Sequence, residues 1–223
     1  MDSPLVSVIV PVLNGERFVA EAIEAILDQD YPMLELIVVD DGSTDMTARI
    51  VSGYPRARCI SQDNAGPSAA RNAGLAASSG ELLTFCDSDD VYRRGKVSSQ
   101  VRYLTENEDT ACVLVRHRTF VEPGTEPPAW MTKDDQGAQN PMIRRRVLEA
   151  VGGYDPEYRV SETFEWLIRM RAAGLRVDVI DEVLVDRRIH GTNLSYGRHD
   201  LQQGLLRSLR ARIEESRKSG DVA

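Results

Sequence analysis

Through its first ninety residues the chain alternates strand-length apolar runs with segments of helical period, an order that few folds accept. Leu5 to Val12 is near-continuous and β-branched, the pattern of a strand buried on both faces of a parallel sheet. Phe18, Val19, Ala22, Ile23, Ile26 and Leu27 then repeat with the spacing of an amphipathic helix. Leu34 to Val39 is a second buried strand and ends at Asp40-Asp41. The turn Gly42-Ser43-Thr44-Asp45 offers Ser43 or Thr44 as the cap of the next helix. A short strand near Ala57 to Ser61, a helix over Pro67 to Ala77 and a fourth strand, Leu82 to Cys86, continue the series. The alternation predicts an α/β fold, a mostly parallel sheet with helices on both faces. In such sheets ligands gather at the carboxyl ends of the strands.

The second half is less regular. Ala111 to Val121 reads as strand, and Glu122 to Asn140, rich in Pro, Gly and polar residues, reads as a mobile loop. Helices are expected near Arg144 to Val151 and Ser161 to Ala173, and strand character returns over Leu175 to Val185. Arg144-Arg145-Arg146 reads as a solvated helix face rather than a phosphate clamp. From Asp200 to Ser219 the pattern is that of an amphipathic basic helix with Leu201, Leu205, Leu209 and Ile213 on one stripe. Packing on the core or on a second subunit suits that narrow stripe better than a membrane surface, although peripheral association and a homodimer both stay open. No internal repeat or linker divides the 223 residues.

Composition narrows the partners. The apolar fraction of 42% and charged fraction of 28% are globular values, and the net charge is −8. Nucleic-acid binding calls for a basic face, so the charge argues against it. An acidic chain can still hold a nucleotide through a divalent cation, which demands carboxylates. Three separated cysteines, Cys59, Cys86 and Cys112, form no CxxC pair and read as reduced, buried thiols of a cytoplasmic protein. The N-terminus lacks the basic region of a signal peptide, and nowhere do about 18 apolar residues run together to span a membrane.

Two acidic clusters, Asp40-Asp41 and Asp87-Ser88-Asp89-Asp90, stand where apolar strands end. Strand-ending aspartates commonly start turns. Four or five carboxylates on one sheet edge, however, repel unless a cation or hydrogen-bond donors balance them.

Around these clusters the chain resembles family 2 glycosyltransferases, inverting enzymes of the GT-A fold. The residues that carry the resemblance are Ser7-Val-Ile-Val-Pro11-Val-Leu-Asn14, Val38-Val-Asp-Asp-Gly-Ser-Thr-Asp45, Ala70-Arg-Asn-Ala-Gly74 and Gly80-Glu-Leu-Leu-Thr-Phe-Cys-Asp-Ser-Asp-Asp90. Weaker echoes, Val151-Gly-Gly-Tyr-Asp155, Ser161-Glu162 through Arg169, and Arg188-Ile-His190, extend it to about residue 195. The resemblance implies a single domain: 1–115 binding a nucleotide-diphosphate-sugar donor, UDP-linked above all, 116–199 binding a carbohydrate or other hydroxyl acceptor, and 200–223 a helical tail. It implies that Pro11, Val12, Asn14 and Glu16 border the nucleoside pocket and that Asp41 accepts a hydrogen bond from the base. Arg71 would lie near the diphosphate or base. Asp87-x-Asp89 would be the family's DxD, with Asp89 on Mn²⁺ or Mg²⁺, Asp87 or Ser88 at ribose or metal-bound water, and His190 approaching the metal.

Inverting transfer also needs a base to deprotonate the attacking hydroxyl. The family places Glu-Asp at the start of the helix corresponding to Ser161 to Ala173, the Asp being the base. Six residues before Arg169, that position holds Thr163, which cannot take the role. Glu162 precedes it and is the favoured replacement; Glu165 lies one helical turn on. Loss of the Asp keeps open a second reading, a nucleotide-sugar binder without catalysis. Other nucleotide-site classes fit poorly. The loop after the first strand has one Gly where a dehydrogenase needs GxGxxG, and GxxxxGK[ST] is absent.

Overall fold

The computed structural model describes residues 3–128, 131, 137–158 and 161–193. The basic segment 200–219 lies outside them. Among the described residues there are eight strands: β1 (Val6–Val12), β2 (Leu34–Asp40), β3 (Ala57–Ser61), β4 (Leu82–Phe85), β5 (Val91–Tyr92), β6 (Thr110–Val121), β7 (Ala138–Arg144) and β8 (Arg176–Ile189). The helices are α1 (Val19–Leu27), α2 (Thr47–Ser52), α3 (Pro67–Ala77), α4 (Lys96–Glu106), α5 (Val147–Val151) and α6 (Glu162–Ala172).

All strands join one sheet in the order β3-β2-β1-β4-β7-β6-β8-β5. The first four positions are parallel, as the apolar runs predict. Alternate side chains of β1 and β2 divide between two cores. Val8, Val10 and Val38 pack with α1, α2 and α4; Ile9, Ile37 and Val39 pack with α3, α5 and α6. Both faces are buried because helices cover both.

The expected loop over 122–140 and helix from Arg144 are corrected in part. β7 occupies 138–144, antiparallel to both β4 and β6 and filling the centre of the sheet, and α5 starts only at Val147. β5 and α4 were not anticipated. The helical period of Val97, Val101 and Leu104 is interrupted on the same buried face by Lys96 and Gln100. Gln100 donates to the carbonyls of Val113 and Asn140, at a register shift of β6 and at a left-handed residue of β7. The helix thus satisfies acceptors that an irregular ladder leaves open.

One connection shapes the site. β4 and β5 stand four positions apart in the sheet, roughly 19 Å if it were flat. Only Cys86 to Asp90 join them, and Asp90 N–H turns back onto the Asp87 carbonyl. A turn leaves that linker too short for a flat sheet, so the sheet curls and brings the end of β8 to the acidic loop. The strand expected to stop at Val185 runs on to Ile189 and delivers His190 there.

Candidate active site

The carboxyl ends of β1, β2 and β4 place three loops side by side. The β1–α1 and β2–α2 loops are zipped together. The Asn14 N–H donates to Ser43 Oγ at 2.9 Å, Thr44 N–H to Asn14 Oδ1 at 2.9 Å, Gly15 N–H to Thr47 Oγ1 at 2.8 Å and Met46 N–H to Glu16 Oε2 at 3.0 Å. Asn14 takes a left-handed backbone to do this. Ser43 and Thr44, expected to cap α2, therefore serve the neighbouring loop, and Met46 occupies the cap position. Side chains of Asn14 and Glu16 brace this rim, while Pro11 and Val12 lie in the sheet beneath it, Val12 buried. A Cβ on Gly15 would stand 2.5 Å from Val12 Cγ2 and 3.5 Å from Ser88 Oγ, so the rim sits close on the acidic loop only because that position is glycine.

Asp41 is buried, and three protein donors reach it: Gln62 Nε2 at 2.7 Å, Ala65 N–H at 2.9 Å and Gly66 N–H at 2.9 Å. It fastens the loop that leads into α3. A carboxylate has about four lone-pair sites, so one remains for a base.

At the next loop Arg71 is the centre. It is buried on α3 and divides its fork between Asp87 Oδ1 (2.6 Å) and Glu162 Oε1 (2.7 Å). Burial alone would lower its pKa; the Glu162 and Asp87 charges outweigh that and raise it, so the guanidinium stays charged. Glu162 opens α6, and its second oxygen carries no hydrogen bond among the described residues. Crowding by protein atoms, then the Asp89 and Glu162 charges, push the Asp87 carboxyl upward against the pull of Arg71. Asp90, which unlike Asp87 is buried, is pushed well up by burial and by Asp89 and Asp87, and accepts the Arg188 N–H at 3.1 Å.

Asp89 meets the end of β8. Its Oδ2 lies 3.0 Å from His190 Nε2 and accepts Asn193 Nδ2 at 2.8 Å. Thr192 Oγ1 is 2.8 Å from His190 Nδ1, and a hydroxyl can donate to that nitrogen or accept from it, whereas on the other side of the ring only Nε2–H can bond the Asp89 carboxylate. Phe18 stacks on the His190 ring at 4.6 Å. Arg188 holds the arrangement from below. Its buried guanidinium lies between the rings of Phe18 and Phe120, 4.7 and 4.8 Å from their centres. It bonds Glu21, Glu122 and the Asp89 carbonyl. Asn193 and Thr192 were not singled out in the sequence; their one signal is proximity to His190.

Among the described residues no three His, Cys, Asp or Glu side chains converge as a metal cage. Asp89 and His190 nonetheless supply an oxygen and an imidazole nitrogen at one point. A cation that takes one or two protein ligands and completes its shell with phosphate oxygens and water fits this pair. Asp87, Asp89, Asp90 and Glu162 raise one another's electrostatic cost although Arg71 pairs with two of them and the Arg187 charge acts on Asp87 and Asp90, and a concentration of carboxylates suits a divalent ion.

Glu165 is placed differently. Arg169, four residues on, takes both its oxygens (2.6 and 2.9 Å) and also bonds the carbonyls of Val151 and Gly153. That carboxylate ties α6 to the turn after α5. Cys86 and Cys112 are buried free thiols as expected, whereas Cys59 is exposed.

The sequence profile of glycosyl transferase family 2 matches residues 7–169. The chain belongs to this family. A teichuronic acid biosynthesis glycosyltransferase of Bacillus subtilis, TuaG, itself a putative assignment, is 28% identical over 86% of this chain and 82% of its own length. A glycosyltransferase of Haemophilus influenzae of uncharacterized role is 38% identical over 48% of this chain and 45% of its own length. Among solved structures, Staphylococcus aureus TarS 1-349 in complex with UDP superposes with a TM-score of 0.68 at 23% identity, over 84% of this chain and 61% of that one. A mannosyltransferase of Pyrobaculum calidifontis, in complex with GDP-Man and Mn²⁺, gives 0.67 at 21%, over 84% and 57%. The fold is therefore of the GT-A type, and the chain spans less than two thirds of these two structures and of the Haemophilus protein.

Proposed function

We propose that this family 2 member transfers a sugar, with inversion, from a UDP-linked donor to an acceptor hydroxyl and requires Mn²⁺ or Mg²⁺. The observation that carries the reading is Arg71 spanning Asp87 and Glu162. One guanidinium joins the acidic loop of the donor side to a carboxylate at the start of α6, so the leaving group and the incoming hydroxyl have partners in one cleft. The ligands in the TarS complex (UDP) and in the mannosyltransferase complex (GDP-Man with Mn²⁺) support a nucleoside-diphosphate-sugar donor.

The rim of Asn14, Glu16 and Asp41 would hold the nucleoside, the remaining lone pair of Asp41 facing the base. Asp89 and His190 would ligate the metal, with Thr192 accepting from Nδ1–H so that Nε2 is left as a lone pair. When bound, the metal supplies a Lewis acid that stabilises the departing diphosphate. Asp87 and Ser88 would meet ribose or metal-bound water. Arg71 draws one oxygen of Glu162 and orients the other, which accepts the hydroxyl proton as the acceptor attacks the anomeric carbon.

A binder without catalysis is the second reading. Thr163 in place of the family's Asp, and an arginine already paired with Glu162, both favour it. Incubating the protein and Mn²⁺ with a panel of nucleotide-sugars and free sugar acceptors separates the two. Nuclear magnetic resonance should detect a product of opposite anomeric configuration to the donor. Donor binding by calorimetry with no turnover, by transfer or hydrolysis, would leave the binder.

A further inference from the structure

At the opposite end of the central strands from the donor loops lies a cleft of about 350 Å³. Its walls include Arg144, Arg145 and Arg146, with Ser79 and Glu81 from the start of β4. Register fixes the separation: Arg144 stands against Leu82, the first residue of β4, whereas the acidic loop follows Phe85, its last. The triplet expected to be a solvated helix face is instead the end of β7 and the turn into α5. That turn gathers side chains which a continued strand would send to opposite faces.

Each guanidinium is anchored by neutral oxygens. Arg144 bonds the carbonyls of Leu104, Asn107 and Thr110. Arg145 bonds the Gly80 carbonyl (2.7 Å) and Ser78 Oγ (2.9 Å), and Arg146 the Glu108 carbonyl (3.0 Å). Among the described residues no carboxylate oxygen lies within salt-bridge distance of any of the three, in contrast to Arg71, Arg93, Arg169 and Arg188. The carbonyls fix the forks in place but cancel no charge, and Nη1 of all three is left without an acceptor among the described residues. In a chain of net charge −8, three guanidiniums on one cleft with no ion pair among the described residues form an anion receptor rather than a general basic surface, even with Glu35 within electrostatic reach of Arg145 and Glu108 of Arg144. Burial, and then the Arg146 charge, lower the pKa of Arg144 against the pull of Glu108, a stress that a bound anion would relieve.

We infer that this cleft is a second anion site, separate from the donor site, which receives a phosphate or diphosphate group through Arg144, Arg145 and Arg146. The group's shape suits bidentate forks, and the single carboxylate of the walls, Glu81, leaves the cleft with a net positive charge. The group could belong to a soluble phosphate compound or to an anionic lipid headgroup.

Calorimetry with inorganic pyrophosphate in EDTA tests the site on the whole chain, using wild type, Asp89→Ala, Arg146→Gln and Arg145→Gln/Arg146→Gln. Arg146 is exposed and makes one carbonyl bond, so Arg146→Gln reports without threatening the fold; circular dichroism checks the double variant. Binding should persist in Asp89→Ala, weaken at least several-fold in Arg146→Gln and at least tenfold in the double variant. Wild type showing no binding tighter than about 1 mM overturns the inference, as does binding that Asp89→Ala abolishes and the arginine variants keep. Sedimentation with phosphatidylglycerol-rich and pure phosphatidylcholine vesicles separates the sources. Arginine-dependent capture by the anionic vesicles assigns a headgroup; pyrophosphate binding without vesicle capture assigns a soluble phosphate. Transfer activity of Arg146→Gln should equal that of wild type.

Discussion

Two glutamates one helical turn apart have opposite surroundings. Glu162 shares one oxygen with Arg71 and has no hydrogen bond on the other among the described residues, whereas both oxygens of Glu165 are locked to Arg169. A positioned base contributes about 10²–10⁴-fold in rate, so Glu162→Gln should lower kcat at least a hundredfold with the fold intact. Glu165→Gln should leave kcat within tenfold and instead cost about 1–2 kcal/mol, because the Arg169 clamp on Val151 and Gly153 loses its counter-charge. Steady-state kinetics beside thermal melts give both readings; a kcat loss at Glu165 larger than at Glu162 would reverse the assignment. Lys96 is the other residue with an unusual environment. Fully buried, its Nζ donates to Thr84 Oγ1 at 2.6 Å and sits 4.0 Å over the Tyr92 ring. Burial pushes its pKa from an ordinary 10.5 down to about 7, the nearby Cys86 pulling the other way. Below about pH 7 both folded and unfolded chains hold this proton, and the fold carries the full penalty of a buried ammonium. From about 7 to 10.5 the unfolded chain binds more protons, so this residue makes stability rise with pH across that window. Lys96→Met should stabilise the protein by on the order of a few kcal/mol at pH 6 and remove that rise, as urea melts at several pH values would report.

Among the elements, α3 shows how packing sets chemistry. A Cβ on Gly74 would come within 2.4 Å of Ile9 Cγ2 and 3.3 Å of Val39 Cγ2, so the helix lies on β1 and β2 at a distance only glycine allows. Arg71 is three residues earlier on the same buried face. Gly74→Ala should therefore destabilise by about 1–3 kcal/mol through overpacking and also weaken UDP binding, because lifting α3 moves the guanidinium off Asp87. Unchanged UDP affinity in a destabilised variant would detach the helix seat from the site. The same elements mark what could be read in advance. β1, β2 and β4 were legible because parallel strands buried on both faces are continuous apolar runs, and their ends carried the aspartates and the Arg71 helix. β7 was not, since Gln139, Asn140 and Pro141 spoil any strand period; its place is fixed by pairing with β4 and β6, partners far away in sequence. α4 was missed because Lys96 and Gln100 are buried polar residues whose acceptors lie on other elements. Asp41 and His190 were named as candidates by motif, and Arg188 was read only as part of the His190 motif; its bond to Glu21, 167 positions away, is a pairing no local pattern encodes.

At the scale of the whole molecule, the candidate site draws on β1, β2, β4, β8, α3 and α6. A ligand gripping it cannot bind well to a chain that has lost any of these, so its binding energy should appear as global stability. Ligand that binds only the folded state contributes RT ln(1 + [L]/Kd), about 2.7 kcal/mol at a hundredfold excess over Kd. For a chain of this length that corresponds to a rise of roughly 5–10 °C in Tm. With Mn²⁺ present, UDP should produce that rise; with EDTA the rise should largely vanish, because under the proposed function Asp89 and His190 would then meet the diphosphate with no positive charge between them. Asp89→Ala should melt within a few degrees of wild type when ligand-free, since Asn193 Nδ2 keeps its bond to the Arg188 carbonyl and His190 Nδ1 its contact with Thr192. The same variant should show no Mn²⁺-dependent gain from UDP. Equal stabilisation by UDP in EDTA and in Mn²⁺, for wild type, would mean that Arg71 and the loop donors hold the diphosphate alone, and the metal would leave the mechanism.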